Sequence, residues 1–302
     1  MKGFGVVLVC FGGSAVAVGT LQDLGDFDMI SVLVVHVLAA VRLNPKLSAV
    51  QHVSLAGRTV AVLAPSDDEV MEAVMASAHA AAAADPDRYD EVMEERCCEL
   101  LADRPAYWAQ VWPSAVAAGE RVLSEPELVA GQRVLELGAG LGFASICAAL
   151  AGASEVVATD REPDAALYAA ANAAENNCTV QTRTSDWSHG WQHGVYDVVL
   201  AADIIYDESA PPLLAKVLEK AVRPGGIVLI FDDADRPYKD ARRSALLELL
   251  CSSTEESAAA GAPLFAIERT ERTTIALATR QGDSFEVAEC VLRRINPAML
   301  LV

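Results

Sequence analysis

The segment Gln132–Gly142, QRVLELGAGLG, joins an apolar run to a turn with glycine at every second position. Arg133–Leu137 reads as a buried strand, Gly138, Gly140 and Gly142 as the turn, and Phe143–Ala151 as the helix that follows. Glycine lets the backbone adopt left-handed conformations and approach a ligand closely. The next apolar run, Glu155–Thr159, ends at Asp160, about 20 residues past the turn, where a carboxylate can accept hydrogen bonds from both hydroxyls of a ribose. A strand, glycine turn, helix and acidic strand end in this order constrain the chain to an α/β fold with a nucleoside-binding geometry. The competing reading is that the glycines serve packing alone.

Dinucleotides and S-adenosylmethionine share this geometry, and spacing separates them. A dinucleotide turn reads G-x-G-x-x-G. Here the pattern is E-x-G-x-G-x-G, with Glu136 ahead of the glycines. A second carboxylate suits a pyrophosphate poorly but is tolerable beside the cationic sulfonium and amino acid moiety of S-adenosylmethionine. The expected cofactor is therefore the methyl donor, with Glu136 in its site.

The 302 residues, 53% of them hydrophobic and 22% charged, can bury a full core. Lys and Arg number 23 against 42 Asp and Glu, a net charge of −19. Such a surface argues against nucleic acid as partner, because displacing counterions from a phosphate backbone needs clustered cations. The seven cysteines, at positions 10, 97, 98, 147, 178, 251 and 290, include no C-x-x-C pair and fit a reducing compartment. Cys97 and Cys98 are expected to be ordinary helix residues. His189 and His193 lie among glycines in an expected loop, so their spacing does not predict a metal site.

Residues 1–20 resemble a weak signal peptide, with Lys2 followed by an apolar stretch and an A-x-A-like pair at Ala15 and Ala17. An ordinary buried strand or an inaccurate start of translation is the alternative, and glycines interrupt the run too often for a spanning helix. The first 40 residues lack Arg and carry Asp23, Asp26 and Asp28, unlike a mitochondrial presequence. The cytoplasm is the default compartment, with organellar targeting as the alternative, and the chain is read as a monomer with no stable membrane insertion. Residues 50–65 predict a hairpin around Gly57, followed by helices over 67–84 and 89–101. These elements form an N-terminal extension, residues 1–100, ahead of a catalytic domain over 101–302.

From Trp108 the pattern becomes β and α alternation. Helices are expected over 113–123, 141–151, 163–176, 211–222 and 239–250, and strands over 133–137, 155–159, 179–183, 196–202 and 227–232. The strands 267–278 and 284–292 follow as a hairpin, paired antiparallel at the sheet edge. The expected fold class is α/β, a Rossmann-like seven-stranded sheet with a reversed C-terminal hairpin. A ligand of such a sheet sits outside the carboxyl ends of the strands, at Gly138, Asp160 and Ala202.

Four motifs, YWAQVWPSA, VLELGAGLG, VVATD and LAADIIYD, make residues 107–250 resemble the seven-β-strand, lysine-directed protein methyltransferases. That group includes the Hsp70, valosin-containing-protein and electron-transfer-flavoprotein β-subunit lysine methyltransferases. YWAQVWP together with Asp235-Arg236-Pro237 is most similar to the electron-transfer-flavoprotein branch, although residues 1–100 depart from it. The resemblance implies cofactor contacts from Trp112, Gly138, Ala139, Gly140, Asp160, Trp187 and Ala202. Trp112 and Trp187 could cover the cofactor and flank adenine, or pack in the core. Trp191 competes for the adenine position, and Asp186 before Trp187 favours the latter.

The same resemblance assigns chemistry to Asp203 and Tyr206, in the acidic-x-x-aromatic motif after the fourth strand. A lysine amine is protonated at neutral pH. Asp203 could hold the ammonium by a charge-assisted hydrogen bond while Tyr206 orients the amine as its proton leaves. Asp203 as a helix-capping or loop carboxylate is the plainer alternative. Ile204 and Ile205 stand where amide and adenine methyltransferases carry prolines, which argues against planar amino acceptors. The expected substrate is a protein that presents a lysine, across an acidic rim of Glu208, Asp232, Asp233 and Asp235. One alternative is a small, nicotinamide-like amine clamped by Tyr107, Trp108, Phe143 and Tyr238. Another is a non-catalytic interaction module.

Overall fold

The structure, a computed structural model, describes residues 7–11, 14–18, 49–66, 75, 78–80, 82–84, 86–94, 107–251, 264–276 and 284–296. It divides into two compact units, residues 1–46 and 47–302. In the first unit Val7–Phe11 (β1) and Ser14–Val18 (β2) pair antiparallel, so part of the signal-like segment is a β-hairpin. No helix among the described residues is long and apolar enough to cross a membrane.

The second unit opens with the expected hairpin, Ala49–Leu55 (β3) and Arg58–Ala64 (β4), joined through Ala56 and Gly57. Both turn residues have positive φ, 47° and 73°, the conformation whose twist matches a two-residue hairpin. Of the helices expected over 67–84 and 89–101, residues 75, 78–80, 82–83 and 89–94 are helical. The rest, with Cys97 and Cys98, lies outside the described residues.

The α/β alternation follows as Pro113–Ser124 (α1), Arg133–Leu137 (β5), Phe143–Leu150 (α2), Glu155–Asp160 (β6), Pro163–Glu175 (α3) and Gln181–Thr184 (β7). It continues with Tyr196–Ala202 (β8), Ala210–Ala221 (α4), Val222–Asp233 (β9), Pro237–Cys251 (α5), Phe265–Ala276 (β10) and Ser284–Arg294 (β11). Proline opens α1 and α3, where its missing N–H costs no helical hydrogen bond. Seven strands pair in the order β10-β11-β9-β8-β5-β6-β7. Strands β5 to β9 are parallel, β11 is antiparallel to β9, and β10 is antiparallel to β11. Only β11 therefore runs against the sheet, because the hairpin folds back and places β10 at the edge.

Strand β5 alternates between two cores. Val134 joins Val116, Ile146 and the hairpin's Val60 and Val62, whereas Leu135 and Leu137 join Leu214, Leu218, Leu246 and Leu250. A sheet covered on both faces requires this apolar density on every central strand.

The β3–β4 hairpin is held by two asparagines one turn apart, Asn172 on α3 and Asn176 at its C-cap. Asn172 Oδ1 accepts the Leu63 N–H at 2.6 Å and its Nδ2 donates to the Leu63 carbonyl at 3.1 Å. Asn176 repeats the pairing with Ala61, at 2.9 and 2.6 Å. Side chains of α3 thus satisfy the edge of β4 as a neighbouring strand would. Asn172 Nδ2 also reaches the Leu141 carbonyl, at 3.0 Å, which ties the hairpin to the glycine turn. The hairpin therefore shares a core with the sheet.

Candidate active site

Loops following β5, β6, β7, β8 and β9 meet at the carboxyl end of the sheet. In the first, Gly138, Gly140 and Gly142 all have positive φ, 63°, 51° and 78°. The chain itself crowds them. A Cβ on Gly138 would lie 2.6 Å from Ile204 Cγ2, one on Gly140 3.0 Å from the Trp108 carbonyl, and one on Gly142 2.8 Å from the Ala169 Cβ. Packing within the chain and left-handed backbone both demand glycine here.

Asp160 is mostly buried and fixes this turn from the next strand. Its Oδ2 accepts the Gly140 N–H at 2.8 Å and its Oδ1 the Glu162 N–H at 2.9 Å. Burial raises its carboxyl pKa against these two hydrogen bonds. Each oxygen retains a lone pair. Ala139 donates its N–H to the Thr159 carbonyl at 2.9 Å, so this donor serves the strand pair.

Glu136 takes a different place from the cofactor wall expected of it. Strand alternation turns it to the face of Val134, where its buried Oε2 accepts Ser145 N–H at 2.7 Å and Ser145 Oγ–H at 2.5 Å. It caps the first turn of α2, whose own N-cap is Gly142 and has no side chain to do so. Burial pushes the Glu136 carboxyl up to about 7, with both Ser145 contacts opposing.

After β7, the Ser185 N–H bonds the Asp160 carbonyl at 2.8 Å, and Trp187 follows two residues later, half-buried in a one-turn helix. Asp186 caps that turn through Ser188 N–H and Oγ–H, at 2.8 and 2.7 Å. Trp191 is 8% exposed, edge-on to Tyr196, and its Nε1–H reaches the Gly194 carbonyl at 2.6 Å. It is a core residue, and Trp187 packs, half-buried, against the same cluster.

Aromatic rings gather opposite. Tyr206, 41% exposed, lies 5.2 Å from the Tyr107 ring, and Tyr107 meets Trp112 edge-on at 5.5 Å. Trp112 Nε1–H donates to the Tyr107 carbonyl at 2.8 Å, while the Arg236 guanidinium lies 5.8 Å over its ring. The proposed amine clamp does not assemble around them. Phe143 is buried in the core under Gly119, and Trp108 packs 5.4 Å from Tyr168.

Ala202 ends β8, and Asp203 turns the chain with a φ of 58°, a conformation Asp tolerates better than most side chains. Its N–H donates to the Phe231 carbonyl at 2.8 Å, and its side chain, 8% exposed, is paired with Lys239. It caps no helix, since α4 begins seven residues later. Lys239, on α5, is fully buried, and that burial, with Arg243 and Arg242 beside it, pushes its ammonium down to about 7.

Asp232 is a correction to the expected rim. Lying between Phe231 and Asp233 on β9, it points inward and is 0% exposed. Its Oδ2 accepts Arg243 Nε–H at 3.3 Å, and its Oδ1, 4.0 Å from Lys239 Nζ, has no hydrogen-bond partner. Burial pushes this carboxyl up to about 7. Glu208 and Asp235 are exposed, and Asp233 pairs with Arg236 at 2.9 Å. Lys239, Arg242 and Arg243 escaped the sequence reading, for a lysine at a helix start carries no mark of burial. Among the described residues no cluster could hold a metal ion.

Residues 106–242 match the family model for lysine methyltransferase. This segment is similar to the lysine methyltransferases. It is 35% identical over 130 residues to the electron transfer flavoprotein beta subunit lysine methyltransferase of Danio rerio, covering 43% of this chain and 50% of the relative. Protein N-lysine methyltransferase METTL21A of Danio rerio is 38% identical over 130 residues, 40% of this chain and 59% of the relative. The chain thus spans about half the length of the first relatives it matches. A 16S rRNA N2 G1207 methyltransferase (RsmC) from T. thermophilus, solved with AdoMet and guanosine, shares the fold at a TM-score of 0.50 and 17% identity, over 83% of this chain and 51% of that one.

Proposed function

We propose that this chain is an S-adenosylmethionine-dependent protein-lysine N-methyltransferase. The observation that carries the reading is the convergence of two constellations at one end of the sheet, within the segment that matches the lysine methyltransferase model. Asp160 grips the glycine turn through Gly140, and Asp203 with Tyr206 stands across from it after β8.

These residues fit the cofactor. Asp160 keeps lone pairs for two ribose hydroxyls, the glycine turn allows close approach of the backbone, and Trp187 offers a flat ring past β7 for adenine. Trp112 would cover the opposite side, with Gly138, Ala139 and Ala202 as backbone walls. Glu136 supports this site by capping α2 behind the turn. The cofactor supplies an electrophilic methyl group. Asp203 would receive a substrate ammonium through a charge-assisted hydrogen bond, and Tyr206 would orient the amine as its proton passes to water. Most of the acceleration would come from such positioning.

The substrate would be a protein with an accessible lysine, and the relatives' names make the electron transfer flavoprotein β subunit the first to assay. Exposed Glu208 and Asp235 would draw a basic segment toward the mouth. The reading also carries a monomer in a reducing compartment, with the cytoplasm as the simplest. The free cysteines Cys147, Cys178, Cys251 and Cys290 support that compartment.

The test is incubation of the purified chain with S-adenosylmethionine labelled on the methyl group, a cell lysate and a panel of small amines. Label in protein lysine is expected. Label confined to nicotinamide or similar compounds would refute the protein substrate, and no binding of S-adenosylhomocysteine by calorimetry would refute the enzyme altogether.

A further inference from the structure

Helix α5 reaches the loop after β8 through two polar contacts and the end of β9 through a third. Lys239 pairs with the Asp203 carboxylate, Arg242 donates to the Tyr206 carbonyl, and Arg243 donates to Asp232 Oδ2 at 3.3 Å. Nothing in the lysine chemistry proposed above asks for a cation already seated on Asp203. Yet Lys239 has no exposed surface, and a buried ammonium persists only where a partner compensates its lost hydration.

We propose that Lys239 is a positioning residue that occupies one oxygen of Asp203, keeps that carboxylate ionised, and leaves its second oxygen for an incoming substrate ammonium. This deepens the methyltransferase reading and rests on it. An acid with only 8% of its side chain exposed would favour its neutral form without such a partner, and a neutral acid holds an ammonium poorly. Lys239 Nζ bonds Oδ1, so the pair uses one side of the carboxylate.

The charged groups around this pair come from every neighbouring element. Asp232 on β9 lies 4.0 Å from Lys239 Nζ, Arg242 and Arg243 on α5 lower the Lys239 ammonium, and Tyr206 and Asp207 share the loop of Asp203. Across the mouth Asp160 and Arg161 act on Tyr206 with opposite signs. Among the described residues, Lys239 is the cation paired with Asp203. Below pH 7 it is mostly protonated, since its ammonium is held near 7, so its influence is present where a carboxylate titrates.

The experiment uses the full chain with carbon-13 at aspartate carboxyls, Asp203→Asn serving to assign the Asp203 signal, and follows that signal against pH. Lys239→Gln should raise the Asp203 midpoint by about one pH unit or more, and Lys239→Arg should return it. An unmoved midpoint in Lys239→Gln overturns the proposal. Should that variant not fold, the nitrogen-15 signal of Lys239 in Asp203→Asn decides, as its midpoint must fall when the carboxylate is lost. In parallel, the initial rate of methyl transfer into lysate protein should lose its acidic limb at a correspondingly higher pH in Lys239→Gln, with unchanged affinity for S-adenosylhomocysteine. A slower rate with an unmoved limb would make Lys239 structural only. If the wild-type chain transfers no methyl group, the enzymatic reading fails while the carboxyl titration still tests the pairing.

Discussion

The two sides of the candidate site are built from different materials. On the β5–β6 side the backbone does the work. Three left-handed glycines and one strand-end carboxylate define the turn, and Asp160 binds N–H groups of Gly140 and Glu162. On the β8–β9 side the work falls to charged side chains, with Asp203 and Asp232 facing Lys239 and Arg243 in a nearly dry cluster. The first is held by backbone hydrogen bonds and glycine conformation, the second by paired buried charges, so removal of one charge should disturb the second more than the first.

The largest effect that would sharpen this contrast is at Asp203. Asp203→Ala should lower methyl transfer on the order of 1,000-fold, about 4 kcal/mol in barrier, while affinity for S-adenosylhomocysteine stays nearly intact. A parallel loss of cofactor affinity would mean that the two sides are not separate.

Second comes the pH dependence of folding. Glu136 is held at about 7 against an ordinary 4.5, so the folded state binds more protons than the unfolded chain between those values. Its contribution is complete below about pH 4.5 and is lost as pH rises through 7, on the order of 3 kcal/mol in all. Asp232 adds a loss of the same sign. Urea unfolding at pH 5 and pH 8 should show Glu136→Gln to be less pH-sensitive than wild type. Equal pH dependence in the two proteins would show that burial does not perturb Glu136.

Asp160→Ala should weaken S-adenosylhomocysteine binding roughly 100-fold, or about 2.7 kcal/mol, by removing both the ribose acceptor and the Gly140 tether. Calorimetry that finds wild-type affinity would remove the β5–β6 side from cofactor binding. The smallest effect concerns how that side is braced. Asn172→Ala leaves the Leu63 N–H and the Leu63 and Leu141 carbonyls without their partner and should cost about 2 kcal/mol of stability, read by denaturant unfolding. Unchanged stability would mean that the hairpin is not held through α3.

The contrast also explains what could be read from the chain. Gly138, Gly140, Gly142 and Asp160 were legible because backbone conformation and strand spacing are local properties, and the strand and helix limits around them fell within a few residues of expectation. Glu136 was legible as an acid beside the turn, but its direction depended on which face of β5 carried α2. Asp232 looked like a rim residue for the same reason, since its inward direction requires knowing that β9 is covered by α5. The hairpin's bond to α3 joins Leu63 to Asn172, and Lys239 is brought to Asp203 only by the placement of α5 against β8 and β9. Such contacts have no periodic signature.

Lysine methylation is the central claim, and mass spectrometry of methyl-lysines in proteins from cells with and without this chain tests it most directly. The account predicts at least one methyl-lysine that disappears with the wild-type chain's removal and returns with wild type but not with Asp203→Ala. An unchanged set of methyl-lysines would contradict it.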